Sequence, residues 1–278
     1  MRTAMAALSS RTNLITKTGP ADAPVIRKTY REQLISYDER WPLSRRYAEE
    51  SAYRLLAAVI REHFPDTLAV PQILDFPAAS GASADEAVLL LEYIDAPSLL
   101  ELLTDPGASP DSLPSRKILQ DLFSMLFMIQ RIPYESLSLE FQRLLTDQQP
   151  IAECMYRNKC SGQPPVLTHA PWYLCLGDVS LNNLLYDGRR IWLLDHECVH
   201  MGYFGYDAGQ LLGMTKSLCE TASSSDPACC LQQFLSMMIQ ASANVFSESG
   251  PRNALRTWTE RFRAYYAGLD GSPLVCYD

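Results

Sequence analysis

Three oxygen-bearing side chains, Asp178, Asn183 and Asp195, lie close together in the stretch Tyr173 to Glu197, YLCLGDVSLNNLLYDGRRIWLLDHE. Two carboxylates and an amide are hard oxygen donors, the set that suits Mg²⁺, which keeps part of its water and phosphate shell. The surrounding pattern predicts a frame that converges them. Tyr173, Leu174 and Cys175 lead into Gly177-Asp178, and a polar loop runs from Ser180 to Asn183. Leu184 to Tyr186 read as a short strand, Asp187-Gly188 as a hairpin turn, and Ile191 to Leu194 as the returning strand, which ends on Asp195. The hairpin thus brings all three side chains to one end of a small sheet. A plain hairpin with solvated carboxylates explains any one of them; all three at these intervals ask for more.

The interval Asp178-x-x-x-x-Asn183, with Asp195 at a following strand end, is that of a kinase catalytic loop and its second metal-binding Asp. The stretch resembles the aminoglycoside phosphotransferase and choline kinase family, whose pattern is His-Gly-Asp, four residues, Asn, then a strand ending in Ile-Asp-Trp-Glu. Here the matching residues are Leu176-Gly177-Asp178, Asn183 and Leu194-Asp195-His196-Glu197. The resemblance implies an α+β, protein-kinase-like fold in two lobes. A small antiparallel-sheet N-lobe with one main helix would span residues 1–95, and a larger, mainly helical C-lobe residues 96–278. It also implies ATP and Mg²⁺ as cofactors and a small hydroxylated acceptor such as an amino alcohol, an aminoglycoside or a sugar. Asp178 would be the catalytic base, and Asn183 and Asp195 would hold the metal.

Further positions follow from that resemblance. Leu14 to Thr18 and Val25 to Tyr30 predict a hairpin around Gly19-Pro20-Ala21-Asp22, with Lys28 on its second strand. Lys28 matches the phosphate-pairing cation, and SSRTN, ending at Asn13, takes the place of the phosphate-covering loop. Residues 44–62 predict a helix with Tyr47, Ser51, Leu55 and Ala58 or Val59 along one face. The resemblance asks this helix for an acidic partner to Lys28. Glu49 fits, because Tyr53 and Leu56 then complete a Glu-x-x-x-Leu-x-x-Leu pattern; Glu50 is the alternative. Ala87 to Tyr93 predict a buried strand, and the segment leaving it corresponds to the hinge between lobes, whose backbone contacts adenine. Glu92 and Ile94 are its nucleotide-binding candidates.

From Ser98 onward the pattern is mainly helical. An apolar stripe through Ile118, Leu122, Met125, Leu126, Ile129 and Ile132 predicts a core helix over 114–132. Others are expected at about 139–158, 208–218, 229–247 and 251–267, with Pro-rich residues 105–114 an exposed loop. Asp207 is placed to cap the helix at 208, and in the family an Asp here orders the catalytic loop.

Two departures bear on activity. Leu176 replaces the family's His, and the SSRTN loop has no glycine to let its backbone approach phosphates closely. Both leave room for a nucleotide-binding pseudokinase with a regulatory or scaffold role, and a protein that kept only the fold stands behind it. His196-Glu197 after Asp195 is unlike the Phe-Gly of protein kinases, and no Ala-Pro-Glu follows, which points to a small-molecule kinase. Glu197, Tyr203 and Phe204 are candidates either to line an acceptor site or to pack.

Composition sets outer bounds. The 278 residues are 47% hydrophobic and 20% charged, enough for one large domain or two lobes. A net charge of -8 argues against nucleic acid as a partner, which calls for a basic face. Apolar runs stop short of bilayer length, and the N-terminal run is too short for a secretory signal. The eight cysteines form no Cys-x-x-Cys pair and read as reduced thiols, and Cys276 stands too near the end for a prenylation box. The expectation is a cytoplasmic protein with no membrane partner.

Overall fold

Strand alternation and antiparallel pairing set the first layer. The computed structural model describes residues 7–8, 13–20, 23–32, 41–74, 86–107, 109–160, 172–222 and 226–268. Residues 9–12 of the SSRTN loop, all but the last residue of a small-residue loop expected at 78–86, residues 223–225 and Cys276 lie outside these. Strands β1 (Ala7–Leu8), β2 (Asn13–Thr18), β3 (Val25–Arg31) and β5 (Glu86–Glu92) form a four-stranded antiparallel sheet in the order β1-β2-β3-β5. In its register Lys28 sits between Ile15 of β2 and Leu89 of β5. With a period of two, Lys28 and Tyr30 point to the same face, and helix α1 (Arg45–His63) covers that face.

Helix α1 turns inward a different side from the one its apolar pattern predicts. Its buried positions are Arg45, Ala48, Glu49, Ala52, Tyr53, Leu56 and Ile60, while Tyr47 is 50% exposed. That side carries Tyr53, Leu56 and Ile60 as well as the small Ala48 and Ala52, and it brings Glu49 to the cation on β3. Beyond α1, β4 (Leu68–Ala69) pairs in parallel with β8 (Ile191–Leu193), which pairs antiparallel with β7 (Leu184–Tyr186), and β6 (Tyr173–Cys175) pairs antiparallel with β9 (His200–Gly202). The N-terminal region therefore sends one short strand into the sheet that carries the hairpin.

The rest is helical: α2 (Leu99–Thr104), α3 (Arg116–Gln130), α4 (Leu139–Asp147), α5 (Gln149–Cys160), α6 (Tyr206–Thr221), α7 (Asp226–Val245) and α8 (Ser249–Ala267). The expected stripe of α3 is core, with Leu122, Met125, Leu126 and Ile129 buried. Each such burial is worth roughly 1.5–3 kcal/mol. Ser98 closes a capping box with Glu101 at the start of α2. The single helix expected at 139–158 is two, because Pro150 cannot continue α4: it lacks an N–H and its ring crowds the preceding turn. The loop expected at 105–114 holds a short 3₁₀ turn, Pro110–Ser112. Helices α6 and α8 approach closely, since a Cβ on Gly209 would lie 2.3 Å from Trp258 and one on Gly213 2.6 Å from Phe262.

The core divides in two. A large cluster fills the helical part and takes in the inner face of α1, and a small one under the sheet holds Tyr30, Tyr53, Leu89 and Leu91. Cys154, Cys175, Cys198 and Cys230 are buried and Cys219 is half-buried. Among the described residues no helix is long and apolar enough to cross a membrane.

Candidate active site

Helix α1 decides between the two glutamates. Glu49 is buried and its Oε2 lies 2.8 Å from Lys28 Nζ, while Glu50 faces outward to Arg46 and Arg54 at 2.8 and 2.7 Å. Glu49 also accepts from the Tyr30 hydroxyl through Oε2 and, at 3.3 Å through Oε1, from the backbone N–H of His196. Lys28 donates in turn to Asp195 and lies 3.8 Å from Glu197. One buried ammonium thus joins β3, α1 and the segment after β8.

Asp195 reaches Lys28 through an unusual backbone. Its φ of 59° is left-handed, a conformation Asp tolerates better than most residues, and it swings the side chain off the strand line. The Tyr53 hydroxyl, 3.0 Å away, accepts the Asp195 N–H and holds the turn. Burial pushes the Asp195 carboxyl up to about 7, with Lys28 opposing and the Glu197 and Glu49 charges adding. Burial alone would depress Lys28, yet Asp195, Glu197 and Glu49 together hold its ammonium well above the usual lysine value. His196 turns into the core edge-on to Tyr53, and burial drives its imidazole down to about 3, so it is neutral.

Glu197 does not line an open acceptor pocket. It is buried, accepts from Asn13 Nδ2 and lies 3.5 Å from the Arg45 guanidinium. Arg45, itself fully buried, ties down the chain ahead of α1 by donating to the carbonyls of Arg31 and Trp41 at 2.6 and 3.0 Å. Phe204 packs against Phe127, Tyr173 and Phe246, while Tyr203 touches Tyr156 and Trp258 and stays 38% exposed.

The Asp178 end is built from amides. Asn183 Nδ2 donates to the Asp178 carbonyl at 3.0 Å and to Asp178 Oδ2 at 3.2 Å, while Gln210 Nε2 donates to Asp178 Oδ1 at 2.7 Å. The loop is fixed from below. Asp207 is not the helix cap expected of it: α6 starts on left-handed Gly205, and Asp207, inside the helix, turns both oxygens to the loop. These oxygens accept the N–H groups of Leu176 and Gly177, each at 2.9 Å. Burial pushes Asp207 up to about 6 against those two N–H groups, with the Asp178 charge adding. Gly177 is required where it stands: its φ is 93°, and a Cβ there would lie 2.1 Å from the Cys198 carbonyl oxygen.

The hairpin joins the two ends. The Leu194 N–H donates to the Asn183 carbonyl at 2.9 Å, which sets Asn183 beside the chain that carries Asp195. With Asn183 Nδ2 engaged on Asp178, its Oδ1 is the atom left for a metal. Asp195, 29% exposed and holding Lys28 through one oxygen, keeps the other. This donor set fits a hard divalent cation. Glu49, Asp195 and Glu197 also offer carboxylate oxygens within 4.8 Å of one another, around the ammonium of Lys28. Glu92 and Ile94 stand apart from this cluster. Glu92 pairs with Val25 three residues along β5 from the Lys28 partner, some 10 Å away at strand rise. Its carboxylate accepts the Gln72 N–H at 3.1 Å.

Residues 36–228 match the phosphotransferase enzyme family. The chain belongs to that family. The match covers α1, the hairpin and α6, but not β3 with Lys28 and Tyr30. No curated protein matches the enzyme's sequence. Among solved structures it is similar to an ethanolamine kinase from Plasmodium vivax, at 12% identity over 94% of this chain and 82% of that one, TM-score 0.45. A thermostable aminoglycoside phosphotransferase mutant, in ternary complex with AMP-PNP and hygromycin B, matches at 12% over 96% and 87%, TM-score 0.48. A microcompartment-associated aminopropanol kinase matches at 15% over 96% and 93%, TM-score 0.43. Likenesses this distant say nothing about the substrate.

Sequence reasoning passed over Arg45 and Gln210. Arg45 falls one helical turn before Glu49, and Gln210 one turn after Asp207, so helical spacing from residues already singled out would have found both.

Proposed function

We propose that the enzyme transfers the γ-phosphoryl group of ATP to a hydroxyl of a small molecule, with Asp178 as the base. The observation that carries this is the pair of amides holding the Asp178 carboxylate beside Asn183, itself bonded to the strand that ends at Asp195. Asp178 takes the proton of the acceptor hydroxyl, the freed oxygen forms a bond to the γ-phosphorus, and the bond to the β-phosphate oxygen breaks to release ADP. Phosphoryl transfer asks mainly for positioning and charge stabilisation, so no covalent enzyme intermediate is needed.

Asn183 Oδ1 and the free oxygen of Asp195 would hold Mg²⁺, which when bound neutralises phosphate charge. Lys28, set by Glu49, orients the phosphates, and the segment from Glu92 to Ile94 takes the adenine through its backbone. On this reading the sheet and α1, up to residue 95, form the nucleotide-covering lobe. The acceptor is an amino alcohol, an aminoglycoside or a sugar-like molecule, bound by the helical lobe.

The test is a screen of Mg²⁺–ATP consumption against such a panel, run with wild type and Asp178→Asn. The substitution keeps size but removes basicity, and general-base assistance is worth ~10²–10⁴ in rate. Acceptor phosphorylation should fall by that factor while the thermal shift with Mg²⁺–ATP persists. Undiminished turnover in Asp178→Asn rules out the assignment. Bound ATP with no acceptor phosphorylated by the wild type would favour a pseudokinase.

A further inference from the structure

Gln210 is fully buried on α6, three residues beyond Asp207, so the two share a helix face. That face grips the catalytic loop twice. Asp207 holds its backbone at Leu176 and Gly177, and Gln210 Nε2 holds Asp178 Oδ1 at 2.7 Å. The same nitrogen lies 3.3 Å from the Tyr266 hydroxyl on α8, the helix that the glycines of α6 let in close. Gln210 Oε1, by contrast, is buried without a hydrogen-bond partner. The amide is therefore oriented by what its nitrogen does at Asp178, at the cost of an unsatisfied oxygen, where a purely structural amide would satisfy both.

The two oxygens of Asp178 are thus held by different partners. Oδ2 shares Asn183 with the proposed metal site, while Oδ1 is held from the α6–α8 platform. We infer that Gln210 is a positioning residue for phosphoryl transfer: its amide fixes the rotamer of Asp178, so the base keeps its aim whatever Asn183 does. A neutral donor suits this task, because a lysine or arginine in its place would lower the basicity the step needs. The inference rests on Asp178 being the base.

The test uses Mg²⁺–ATP hydrolysis by the full chain with water as acceptor, so no alcohol need be known. Gln210→Leu removes both the donor and the unsatisfied oxygen. It should lower kcat roughly 10–100-fold, as misplacement of a reacting group does, with KM for Mg²⁺–ATP unchanged and the melting temperature unchanged or raised. In Gln210→Glu the new carboxyl donates only when protonated, so kcat relative to wild type should rise as pH falls from 8 to 6. A wild-type kcat in Gln210→Leu overturns the inference. So does a joint fall in kcat and melting temperature with a pH-independent Gln210→Glu ratio, which is the signature of a structural role. Asp178→Asn, run alongside, separates the two readings: undiminished hydrolysis there sinks the base assignment itself, whereas slow Asp178→Asn with fast Gln210→Leu sinks only the role of Gln210.

Discussion

The two ends of this site solve different electrostatic problems with different residues. Around Lys28 the chain buries two cations and gathers three carboxylates, Glu49, Asp195 and Glu197, with Arg45 completing the network. Around Asp178, among the described residues, the amides of Asn183 and Gln210 hold its carboxylate, while Asp207 accepts backbone N–H groups. Where ligands arrive with charge, a set of charges that can exchange partners is serviceable. A base, however, must keep its affinity for a proton. An adjacent cation would remove that, whereas an amide dipole orients the carboxylate with far less effect on its basicity. The charged end is therefore expected to govern stability and nucleotide binding, and the amide end the rate.

Removing Lys28 is the strongest way to break that comparison. Lys28→Ala leaves the buried Glu49 and Glu197 and the part-exposed Asp195 facing one another, and breaking a buried pair this way costs about 3–5 kcal/mol. Denaturant unfolding should show that loss. The three oxygens, within 4.8 Å of one another, should also make the variant gain more stability from millimolar Mg²⁺ than wild type does. Asp178→Asn should show neither effect, though its turnover collapses. Equal stability of Lys28→Ala and wild type would mean that the charged network contributes nothing net.

Asp207 tests the amide end. Asp207→Asn turns an NH₂ group towards a backbone N–H, and an unmade buried hydrogen bond costs about 1–3 kcal/mol. The pH dependence has a definite sign. Burial raises Asp207 to about 6, so its contribution to stability is complete below the unfolded value near 4 and is lost as pH rises through about 6. The gap between wild type and Asp207→Asn should then narrow by roughly 1–3 kcal/mol from pH 4 to pH 7. His196, depressed to about 3, works in the opposite sense but equally in both proteins, so it cancels from the difference. A gap that widens with pH would contradict the burial of Asp207.

The smallest effect expected lies outside the site. Glu50 makes surface ion pairs with Arg46 and Arg54, each of a kind worth about 0–1 kcal/mol. Glu50→Gln should leave turnover unchanged and shift unfolding by less than about 0.5 kcal/mol. A large loss there would sharpen the picture against us, since it would make the outer face of α1 part of the site.

The neighbourhood of Asp178 was legible because it is local. Strand alternation, a two-residue turn and the Asp-to-Asn interval act within Tyr173–Glu197, and hairpin geometry converts that spacing directly into convergence. The helix positions were legible for the same reason, as period and capping act over a few residues. The break at Pro150 was legible too, since proline is tolerated in a helix only in its first turn.

What the amino-acid order alone determined, then, was the set of oxygen-bearing side chains on the hairpin, the cation on β3, and the presence of a helix that could answer that cation. Only the tertiary structure decided which residues became the interior of the site. Glu49 rather than Glu50 faces Lys28, Glu197 turns to Asn13 and Arg45, and Gln210 reaches Asp178. Each of these depends on partners far apart in the chain, from 21 residues for Lys28 and Glu49 to 184 for Asn13 and Glu197. A buried charge is stable only where an opposite charge or a hydrogen-bond donor meets it. Helical period tells which residues share a face of α1 or α6, but packing against the sheet and α8 decides which face turns inward.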